Sequence, residues 1–377
     1  MYQNFNTPED APYEMRLQNL RTEIKAQGLD GFLIPRADMH QNEYIERCDS
    51  RLEWITGFTG SAGLCLVMLK SAFIFVDGRY KIQVEEEINN NLFQIIQSSK
   101  ISFKDWFQKY KKDKKIGYDP WLHTVSELVE LTKSNKVQQN IIKCPNLVDK
   151  IWDEKPSRVR QFIVEHPKEF SGTDSKTKRE LISKSIANNE ADVAIITKPD
   201  SICWLLNIRG KDISHTPILQ CSAIIYKNSN VKLFLRETNL SENLISFLGT
   251  GIEILNEEAF PEYLLSLKNL KIQIDPDTCP TAVLDALKLN NKNIFECCDP
   301  CLLPKAIKNE TEIKGAREAH LIDATAFIKF LHWLDMNDDQ SFLDEIIVTK
   351  KLEEFRNKTK LLKDISFDTI CGSGSNG

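Results

Sequence analysis

The chain has 377 residues, of which 41% are hydrophobic and 27% charged, and its formal net charge is −5. This length corresponds to two or three domains, each large enough to bury a core without disulfides or structural metals. No apolar run approaches the roughly 18 residues that a membrane-spanning helix needs, and the lysine-rich loop at 109–115 is too short to mark a nucleic-acid surface. The composition therefore predicts a soluble globular protein with neither a membrane nor a nucleic-acid partner.

The N-terminal residues show no targeting signal. They carry no basic segment followed by an apolar core, so neither a signal peptide nor a transit peptide is predicted. Ten cysteines at irregular spacing are therefore expected to be reduced thiols in the cytoplasm. Cys297, Cys298 and Cys301 lie close together, but a zinc site needs four ligands, and no second Cys-x-x-Cys or His-x-x-x-His pair accompanies them.

The first elements in chain order recur later in the sequence. A polar helix predicted over 12–27 is followed by the apolar strand Asp30–Pro35. A second polar helix over 175–188 is followed by the similar strand Asp192–Thr197. The two strands are offset by 162 residues, from position 30 to position 192.

Later elements repeat in the same order. Trp54 of the first half corresponds to Trp204 of the second, at an offset of 150 residues. Each half continues with two apolar strands and then a strand that ends in Asp-Pro; these strands are predicted at 64–69, 72–76 and 115–120, and again at 223–226, 231–235 and 271–276. The last pair is offset by 156 residues.

Offsets of this size are too long for a solenoid repeat and indicate two homologous domains. The order helix, strand, loop, strand pair, helix, strand, helix predicts an α/β domain with a mixed sheet flanked by helices. We place the two domains at residues 1–153 and 160–305, because the segment between them is polar and contains proline, as linkers do.

A third unit is predicted at residues 309–377. Asn309 with Glu312 forms the signature of a helix N-terminus, and an apolar stripe with helical spacing runs from Ile313 to Leu334. His320 lies on this stripe, where a packed histidine is expected. The pattern predicts a long amphipathic helix.

The third unit continues with a second helix, opened by Ser341 with Asp344 near its first turn, and with a strand over Phe367–Cys371. Two helices and one strand cannot bury the face of a sheet. Residues 309–377 therefore predict an incomplete domain that leaves the apolar stripe exposed.

Two glycine-rich segments resemble nucleotide-binding loops in spacing alone. Gly372, Gly374 and Gly377 fit G-x-G-x-x-G, but the sequence supplies neither the helix nor the acidic residue that a dinucleotide site requires after them. The segment Gly57–Gly63 lacks the Gly-Lys-Ser/Thr ending of a phosphate loop. Both segments are predicted to be tight backbone turns.

Asp77-Gly-Arg79 follows an apolar strand, and these residues alone favour a strand-end turn with a solvated Arg79, since Asp-Gly is a common turn pair. The six histidines form no HExxH or other metal spacing, and no order of Ser, His and Asp carries a nucleophile-elbow signature. The residues alone predict an α/β protein of two similar domains plus a fragment, with no evident catalytic centre.

Several strings, taken together, resemble a known family. They are Asp38–Tyr44, Trp54–Gly63, Asp77–Tyr80, Asn146–Trp152, Trp204–Gly210, Lys308–Glu312, Ala316–His320 and Leu352–Arg356. In this order and spacing they resemble the long, three-domain aminopeptidase P (Xaa-Pro aminopeptidase) of the cytosol, a member of the creatinase-like peptidase family. The resemblance covers essentially the whole chain.

The resemblance implies two tandem creatinase-like N-terminal domains followed by a pita-bread catalytic domain, of which this chain would hold only the beginning. It also implies a metalloaminopeptidase that uses two Mn²⁺ ions to activate the attacking water. The family's metal ligands are two Asp, one His and two Glu, and all are expected beyond Gly377. No catalytic residue and no metal ligand is therefore assigned in this chain, which is expected to bind no metal and to be inactive alone.

The resemblance assigns one substrate contact in this chain. Arg79 of the Asp-Gly-Arg-Tyr motif is expected to bind peptide, since a guanidinium offers several donors in a fixed plane to a carboxylate or carbonyl. The expected partners are short peptides with proline at the second position, and the family implies a homodimer. The alternative is a non-catalytic binding module of aminopeptidase-like fold that lacks the metal ligands.

Overall fold

Within the described residues, two six-stranded sheets with the same strand order form the centres of two consecutive domains. The structure is a computed structural model and describes residues 12–133, 139–291, 293–337 and 342–376. Among the helices in these ranges, none combines the length and the apolar content needed to cross a membrane.

The first domain surrounds its sheet with helices. The strands are β1 (Gly31–Pro35), β2 (Leu64–Met68), β3 (Ala72–Val76), β4 (Gln94–Gln97), β5 (Ile116–Tyr118) and β6 (Ile141–Lys143). The helices are α1 (Tyr13–Ala26), α2 (Arg51–Thr56), α3 (Lys81–Glu87), α4 (Phe103–Tyr110) and α5 (Val125–Leu131). The sheet order is β4-β3-β2-β1-β5-β6, in which β2 runs antiparallel to β1 and β3 while the other neighbours are parallel.

The second domain repeats this arrangement. Its described elements are β7 (Val164–Glu165), α6 (Lys168–Ser171), α7 (Ser175–Asn188), β8 (Val193–Ile196), α8 (Pro199–Leu206), β9 (Ile208–Arg209), β10 (Ser222–Tyr226), β11 (Val231–Leu235), α9 (Glu242–Leu248), β12 (Ile252–Asn256), α10 (Phe260–Ser266), β13 (Ile272–Ile274), α11 (Thr281–Asn290) and β14 (Ile294–Glu296). The sheet order β12-β11-β10-β8-β13-β14 matches that of the first domain strand for strand. The mixed α/β fold predicted from the duplication is confirmed.

Both faces of each sheet are buried, as the alternation along the central strands shows. Phe32 and Ile34 of β1 pack in one apolar cluster with Leu17 of α1, whereas Leu33 packs on the opposite face with Phe107 of α4. Strand β8 alternates in the same way between two clusters. The continuous apolar runs of these strands therefore reflect burial on two sides.

The duplication extends to individual hydrogen bonds at the start of each central strand. Asp30 N donates to Lys115 O at 2.7 Å, and Lys115 N donates to Asp30 Oδ2 at 2.9 Å. The same pair of bonds joins Asp192 and Lys271, each at 2.8 Å. The aspartate at each site fixes the register of the neighbouring parallel strand.

The two domains meet through equivalent segments, residues 120–126 and 276–282. Four backbone hydrogen bonds cross in two symmetric pairs: Val125 N to Cys279 O (3.0 Å) with Thr281 N to His123 O (2.9 Å), and Ser126 N to Pro276 O (2.9 Å) with Ala282 N to Pro120 O (3.0 Å). In each pair, a shift of 156 residues converts one bond into the other. Thr124 faces Pro280 in an isolated bridge at the centre. A local two-fold axis therefore relates the domains.

A helical hairpin follows the second domain. Its helices are α12 (Leu302–Ala306), α13 (Glu310–Asp335) and α14 (Glu345–Asn357). The predicted N-terminus of α13 is confirmed, because Asn309 Oδ1 accepts from Glu312 N at 3.0 Å while Asn309 N donates to the Glu312 carboxylate at 2.9 Å. Asp344, predicted near the first turn of the second helix, is instead the N-cap of α14, and Ser341, predicted to open that helix, lies outside the described residues.

The apolar face of α13 is largely open. Ala326 and Phe330 are the buried residues of this helix, whereas Phe327 and Leu331 of the predicted stripe are 40% and 42% exposed. The expected exposure of the stripe is thus confirmed. The predicted packing of His320 is wrong: its side chain is exposed, and Nδ1 lies 2.7 Å from the carbonyl of Ala316.

Residues 367–371 do not form the predicted strand. A strand needs a neighbour to pair with its backbone, and within the described ranges no strand lies alongside this segment. The glycine-rich tail forms a 3₁₀ turn at Gly374–Asn376, which agrees with the predicted turn, and Gly377 is outside the described residues.

Candidate substrate-binding site

Arg79 lies on a short turn at the end of β3. Asp77 Oδ1 accepts a hydrogen bond from Arg79 N at 2.9 Å, which caps the 3₁₀ turn Gly78–Tyr80, and α3 begins at the next residue. The carboxyl end of a buried strand and the start of a helix therefore fix the backbone of Arg79. The predicted strand-end turn is confirmed.

Asp77 also holds the Arg79 side chain. Nε of Arg79 lies 3.1 and 3.2 Å from the two carboxylate oxygens, and Nη2 lies 2.7 Å from Oδ2. This hydrogen bonding lowers the pKa of Asp77 and raises the pKa of Arg79, so both groups stay charged. The Arg79 side chain is 62% exposed, and its Nη1 has no hydrogen-bond acceptor among the described residues. The guanidinium is oriented, and part of it is available to a ligand.

Tyr80 connects Arg79 to the glycine-rich segment 57–63. The Arg79 guanidinium lies over the Tyr80 ring, 5.1 Å from its centroid. The Tyr80 hydroxyl lies 2.7 Å from Ser61 Oγ and accepts from Ser61 N at 3.2 Å, while Phe58 meets the ring edge-on at 5.4 Å. Arg79 therefore rests on a tyrosine that is held on two sides.

The glycine-rich segment is a packed wall. Gly57 ends α2 with φ at +85°, and a Cβ on Gly60 would lie 2.1 Å from the Phe58 ring. Thr59 donates to the Glu87 carboxylate of α3 through its backbone N (2.8 Å) and its hydroxyl (2.5 Å). These contacts tie the segment to α3, the helix that follows the Arg79 turn.

The loop Asp38–Tyr44 brings an acidic side chain near Arg79. Asp38 is fully buried and accepts from His40 N at 2.9 Å and from Asn42 N at 3.1 Å, which folds the loop back on itself. The exposed Glu43 then lies within electrostatic range of Arg79 and makes a small contribution to raising its pKa, after the larger contribution of Asp77.

The second domain holds this loop in place. His40 Nδ1 lies 3.0 Å from Thr197 O, and Gln220 Nε2 donates to Asp38 Oδ2 at 3.1 Å. Burial lowers the pKa of His40, so the ring is neutral in this interface. The position of Glu43 beside Arg79 therefore depends on both domains.

The segment after α14 reaches the same region. His215, on a loop of the second domain, places Nδ1 3.0 Å from Asp364 and Nε2 3.2 Å from Asp368. Asp368 also contributes, after burial and Glu43, to raising the pKa of Tyr44. Parts of the first domain, the second domain and the C-terminal segment therefore meet near Arg79.

The structure unites several strings that carried the family resemblance. Arg79 was identified from its motif, and the Tyr80–Ser61 contact and the position of Glu43 were not predicted. Ser61, Tyr80 and Glu43 all lie within the segments that carry the family resemblance. The sequence does not show, however, that these segments meet in the fold. The role of Arg79 in binding peptide stays a prediction.

The cysteines do not converge on a site. All ten are free thiols in the structure, and in the cluster near residue 300 Cys298 is exposed, Cys297 is half-buried and Cys301 is buried. In the part of the chain that the structure describes, no group of three or more His, Cys, Asp or Glu side chains could hold a metal ion.

Comparison with known proteins identifies the domain type. Two family models match, over residues 16–151 and 154–312, and both are described as the creatinase/prolidase N-terminal domain. Xaa-Pro aminopeptidase 1 of Dictyostelium discoideum is 33% identical over 99% of this chain, and the probable Xaa-Pro aminopeptidase P of Laccaria bicolor is 31% identical over 96% of it. The matched regions are 62% and 58% of those proteins, so the chain spans about three fifths of their length.

A solved structure has the same fold over nearly the whole chain. The X-prolyl aminopeptidase of Caenorhabditis elegans, described as a cytosolic enzyme with a di-nuclear active site, superposes with a TM-score of 0.87 at 24% sequence identity. The superposition covers 95% of this chain and 62% of that protein.

Proposed function

Because this chain belongs to the creatinase/prolidase N-terminal domain family and carries two consecutive copies of that domain, we propose that it forms the substrate-positioning part of an Xaa-Pro aminopeptidase. Its curated relatives at 31–33% identity carry that name. Such an enzyme cleaves the bond before a proline, a tertiary amide on a rigid ring. The peptide must be held in one orientation for attack, which is a task for side chains around the reacting bond.

The fixed guanidinium of Arg79 is the observation that carries this proposal. Asp77 binds Nε and Nη2, so a peptide carbonyl or carboxylate can bind at Nη1 without first breaking the ion pair. Because the backbone of Arg79 is fixed by β3 and α3, little conformational entropy is lost when the peptide binds.

The metal ions of such a peptidase need a different set of residues. Two Mn²⁺ ions would lower the pKa of the attacking water and stabilise the developing oxyanion. The described residues hold no cluster of three or more suitable side chains, so this donor set does not fit the ions. We place the ligands and the pita-bread catalytic domain in a further part of the gene product.

The 377-residue chain is expected to release no amino acid from an Xaa-Pro peptide, with or without added Mn²⁺, as measured by chromatography of the products. The product of the gene read in frame beyond codon 377 should release the residue before proline. In that longer product Arg79→Gln should raise KM more than it lowers kcat, because Arg79 binds peptide away from the reacting bond. Arg317→Gln, an exposed arginine on α13, is the control. Turnover by the 377-residue chain, or a stop codon in place of ligand-bearing sequence, contradicts the proposal.

A non-catalytic peptide-binding module is the second candidate. Binding at Arg79 requires no metal ion, so the described residues would be sufficient for this role. Metal analysis of the complete gene product separates the two functions: about two Mn²⁺ per chain supports the peptidase, and peptide binding without metal supports the module.

The compartment and assembly state follow from the same proposal. The similar protein from Caenorhabditis elegans is described as cytosolic, and we propose the cytoplasm for this chain, with short Xaa-Pro peptides as partners. A homodimer stays a prediction from the family resemblance, and sedimentation equilibrium of the complete product tests it.

A further inference from the structure

A cavity of about 610 Å³ lies on the first domain, near the Arg79 turn. The end of β1, the loop Asp38–Tyr44, the glycine-rich segment and helices α4 and α5 form its walls, and Lys198 of the second domain completes them. This volume is typical of sites for small ligands. Much of the lining is apolar: Leu33, Pro35, Leu64, Leu122, Leu128 and Leu131.

Arg36, the residue after β1, places a guanidinium in the cavity wall, and the carboxylates of Glu53 and Asp38 lie within electrostatic range of it. Its Nη1 is buried, and no acceptor in the described part of the chain hydrogen-bonds to it. By contrast, the buried Arg51 donates to both Asp49 and Asp149. A buried charged donor without an acceptor is destabilising, and an anion bound in the cavity beside Arg36 would offset part of this cost.

The acidic residues on the α5 side of the cavity are already engaged. Glu130 pairs with Lys104 and with Lys133. Glu127 accepts from Thr124 N at 3.0 Å as part of the capping box of α5. The carboxylates that act on Arg36 are Glu53 and Asp38, and burial outweighs their effect, so the pKa of Arg36 is lowered.

Lys198 adds a second positive charge from the second domain. Its Nζ donates to the carbonyl of Gln41 at 2.8 Å, which leaves two of the three ammonium donors. Arg36 and Lys198 therefore face the cavity from different domains, and together they are complementary to a carboxylate.

The cavity adjoins the Arg79 site. Ser61 lines the cavity and lies 2.7 Å from the Tyr80 hydroxyl, and the Arg79 guanidinium lies over that tyrosine ring. Glu43 also lines the cavity and lies within electrostatic range of Arg79. When a peptide contacts Arg79, its following residues can therefore reach the mouth of the cavity.

We propose that this cavity binds the C-terminal part of a short peptide and that Arg36, assisted by Lys198, binds the terminal carboxylate. The inference rests on the proposed function, which supplies a peptide at Arg79. The apolar lining accommodates aliphatic side chains of that peptide, and the cations select a free acid over a blocked C-terminus. The protein would then prefer short peptides whose C-terminus reaches the cavity.

The test compares the free acid and the C-terminal amide of Ala-Pro-Ala-Ala. Dissociation constants of both are measured by calorimetry on the 377-residue chain, with a chelator present so that no hydrolysis intervenes. The acid should bind about 10 to 100 times more tightly than the amide, the range expected for one charge-assisted pair. Arg36→Gln should abolish this preference, and Arg36→Lys should restore part of it. Arg317→Gln should change neither affinity.

Arg79→Gln separates the two proposals. It should weaken the acid and the amide equally and leave their ratio intact, since Arg79 contacts another part of the peptide. An unchanged ratio in Arg36→Gln, no acid preference in the unaltered chain, or no binding of either peptide overturns the inference. The peptidase proposal depends separately on hydrolysis by the longer gene product, which an amidated peptide also reports.

Discussion

His166 lies just before α6 in surroundings that disfavour a cation. Burial, followed by the positive charges of Arg209 and Lys178, lowers its pKa from 6.5 to about 4. In the unfolded chain the ring takes up its proton near the ordinary pKa. Between these two values the unfolded state binds more protons, so the free energy of unfolding decreases as pH falls from about 6.5 towards about 4.

Replacing His166 should therefore reduce the acid sensitivity of the fold. We expect His166→Gln to lose less stability than the unaltered chain between pH 7 and pH 4.5, as measured by urea unfolding at several pH values. His332→Gln, at an exposed position on α13, is the matched control. Parallel pH profiles for His166→Gln and the unaltered chain would show that the ring is not kept neutral by its surroundings.

At the scale of single residues, the sequence predicted less of the site than of the fold. Arg79 stood out through its motif, whereas turn chemistry alone made it a solvated side chain. Arg36 gave no signal, because an arginine after a strand is ordinary until its burial and its missing acceptor are known. The surroundings of Arg36 and the supports of the Tyr80 ring under Arg79 come from residues distant in sequence, which local patterns do not encode.

The start of α13 shows how a local pattern predicts an element. Asn309 and Glu312 were sufficient to place the helix N-terminus, because the two capping bonds are made within four residues. Tertiary structure adds a third bond, from Asn309 Nδ2 to Ser171 O at 2.8 Å, which attaches the helix to the second domain. One side chain therefore both starts the helix and docks it.

Variants of Asn309 should separate these two roles. Asn309→Ala loses the cap and the docking bond and should lower the free energy of unfolding by roughly 1–3 kcal/mol. Asn309→Ser keeps a capping hydroxyl and loses only the amide donor, so its effect should be the smaller one. Hydrogen exchange of the first-turn amides of α13 measures both. If these amides were equally protected from exchange in the unaltered chain and in both variants, the capping role of Asn309 would be contradicted.

Gly117 of β5 illustrates a constraint on a strand that sequence patterns do not reveal. A Cβ at this position would lie 2.5 Å from Leu29 Cδ1 and 2.9 Å from Cys144 Sγ. Gly117→Ala should therefore overpack the first domain and destabilise it by roughly 1–3 kcal/mol in chemical denaturation. Gly315→Ala, on α13 where a Cβ meets open space, should be neutral or stabilising. The same sign for both variants would argue against overpacking.

The strand predicted over residues 367–371 does not form, and the reason is a difference between helices and strands. Helices close their hydrogen bonds within the segment, so caps and periodicity identify them. A strand depends on a neighbour, and the described residues provide none here.

At the scale of the molecule, the duplication predicted two domains of one topology, but not the way in which they face each other. Part of their contact is a buried charge cluster. Arg236 of the second domain donates to Glu46 of the first at 2.9 Å and to Asp212 at 3.1 Å, and the two carboxylates are at most 3% exposed. Because this cluster joins residues that lie far apart in the chain, no local sequence pattern predicts it.

Removing the arginine should uncouple the domains. Arg236→Gln leaves two buried carboxylates without their cation and should cost roughly 3–5 kcal/mol. Because Glu46 and Arg236 belong to different domains, we also expect the urea transition of the variant to be broader than that of the unaltered chain, or split, as followed by tryptophan fluorescence. Arg317→Gln should show neither change. A loss below about 1 kcal/mol with an unchanged transition would contradict a coupling role for the cluster.

The symmetric backbone bonds between residues 120–126 and 276–282 have a consequence for the origin of the chain. Each domain offers the same patch to the other, which is the contact that two separate copies of one ancestral domain would make. Fusing such copies into one polypeptide turns a concentration-dependent association into an intramolecular one, with an effective concentration set by the short linker. Once the two copies were joined in one chain, their sequences could diverge. The first domain could then retain Arg79 while the second domain served to hold the first in place.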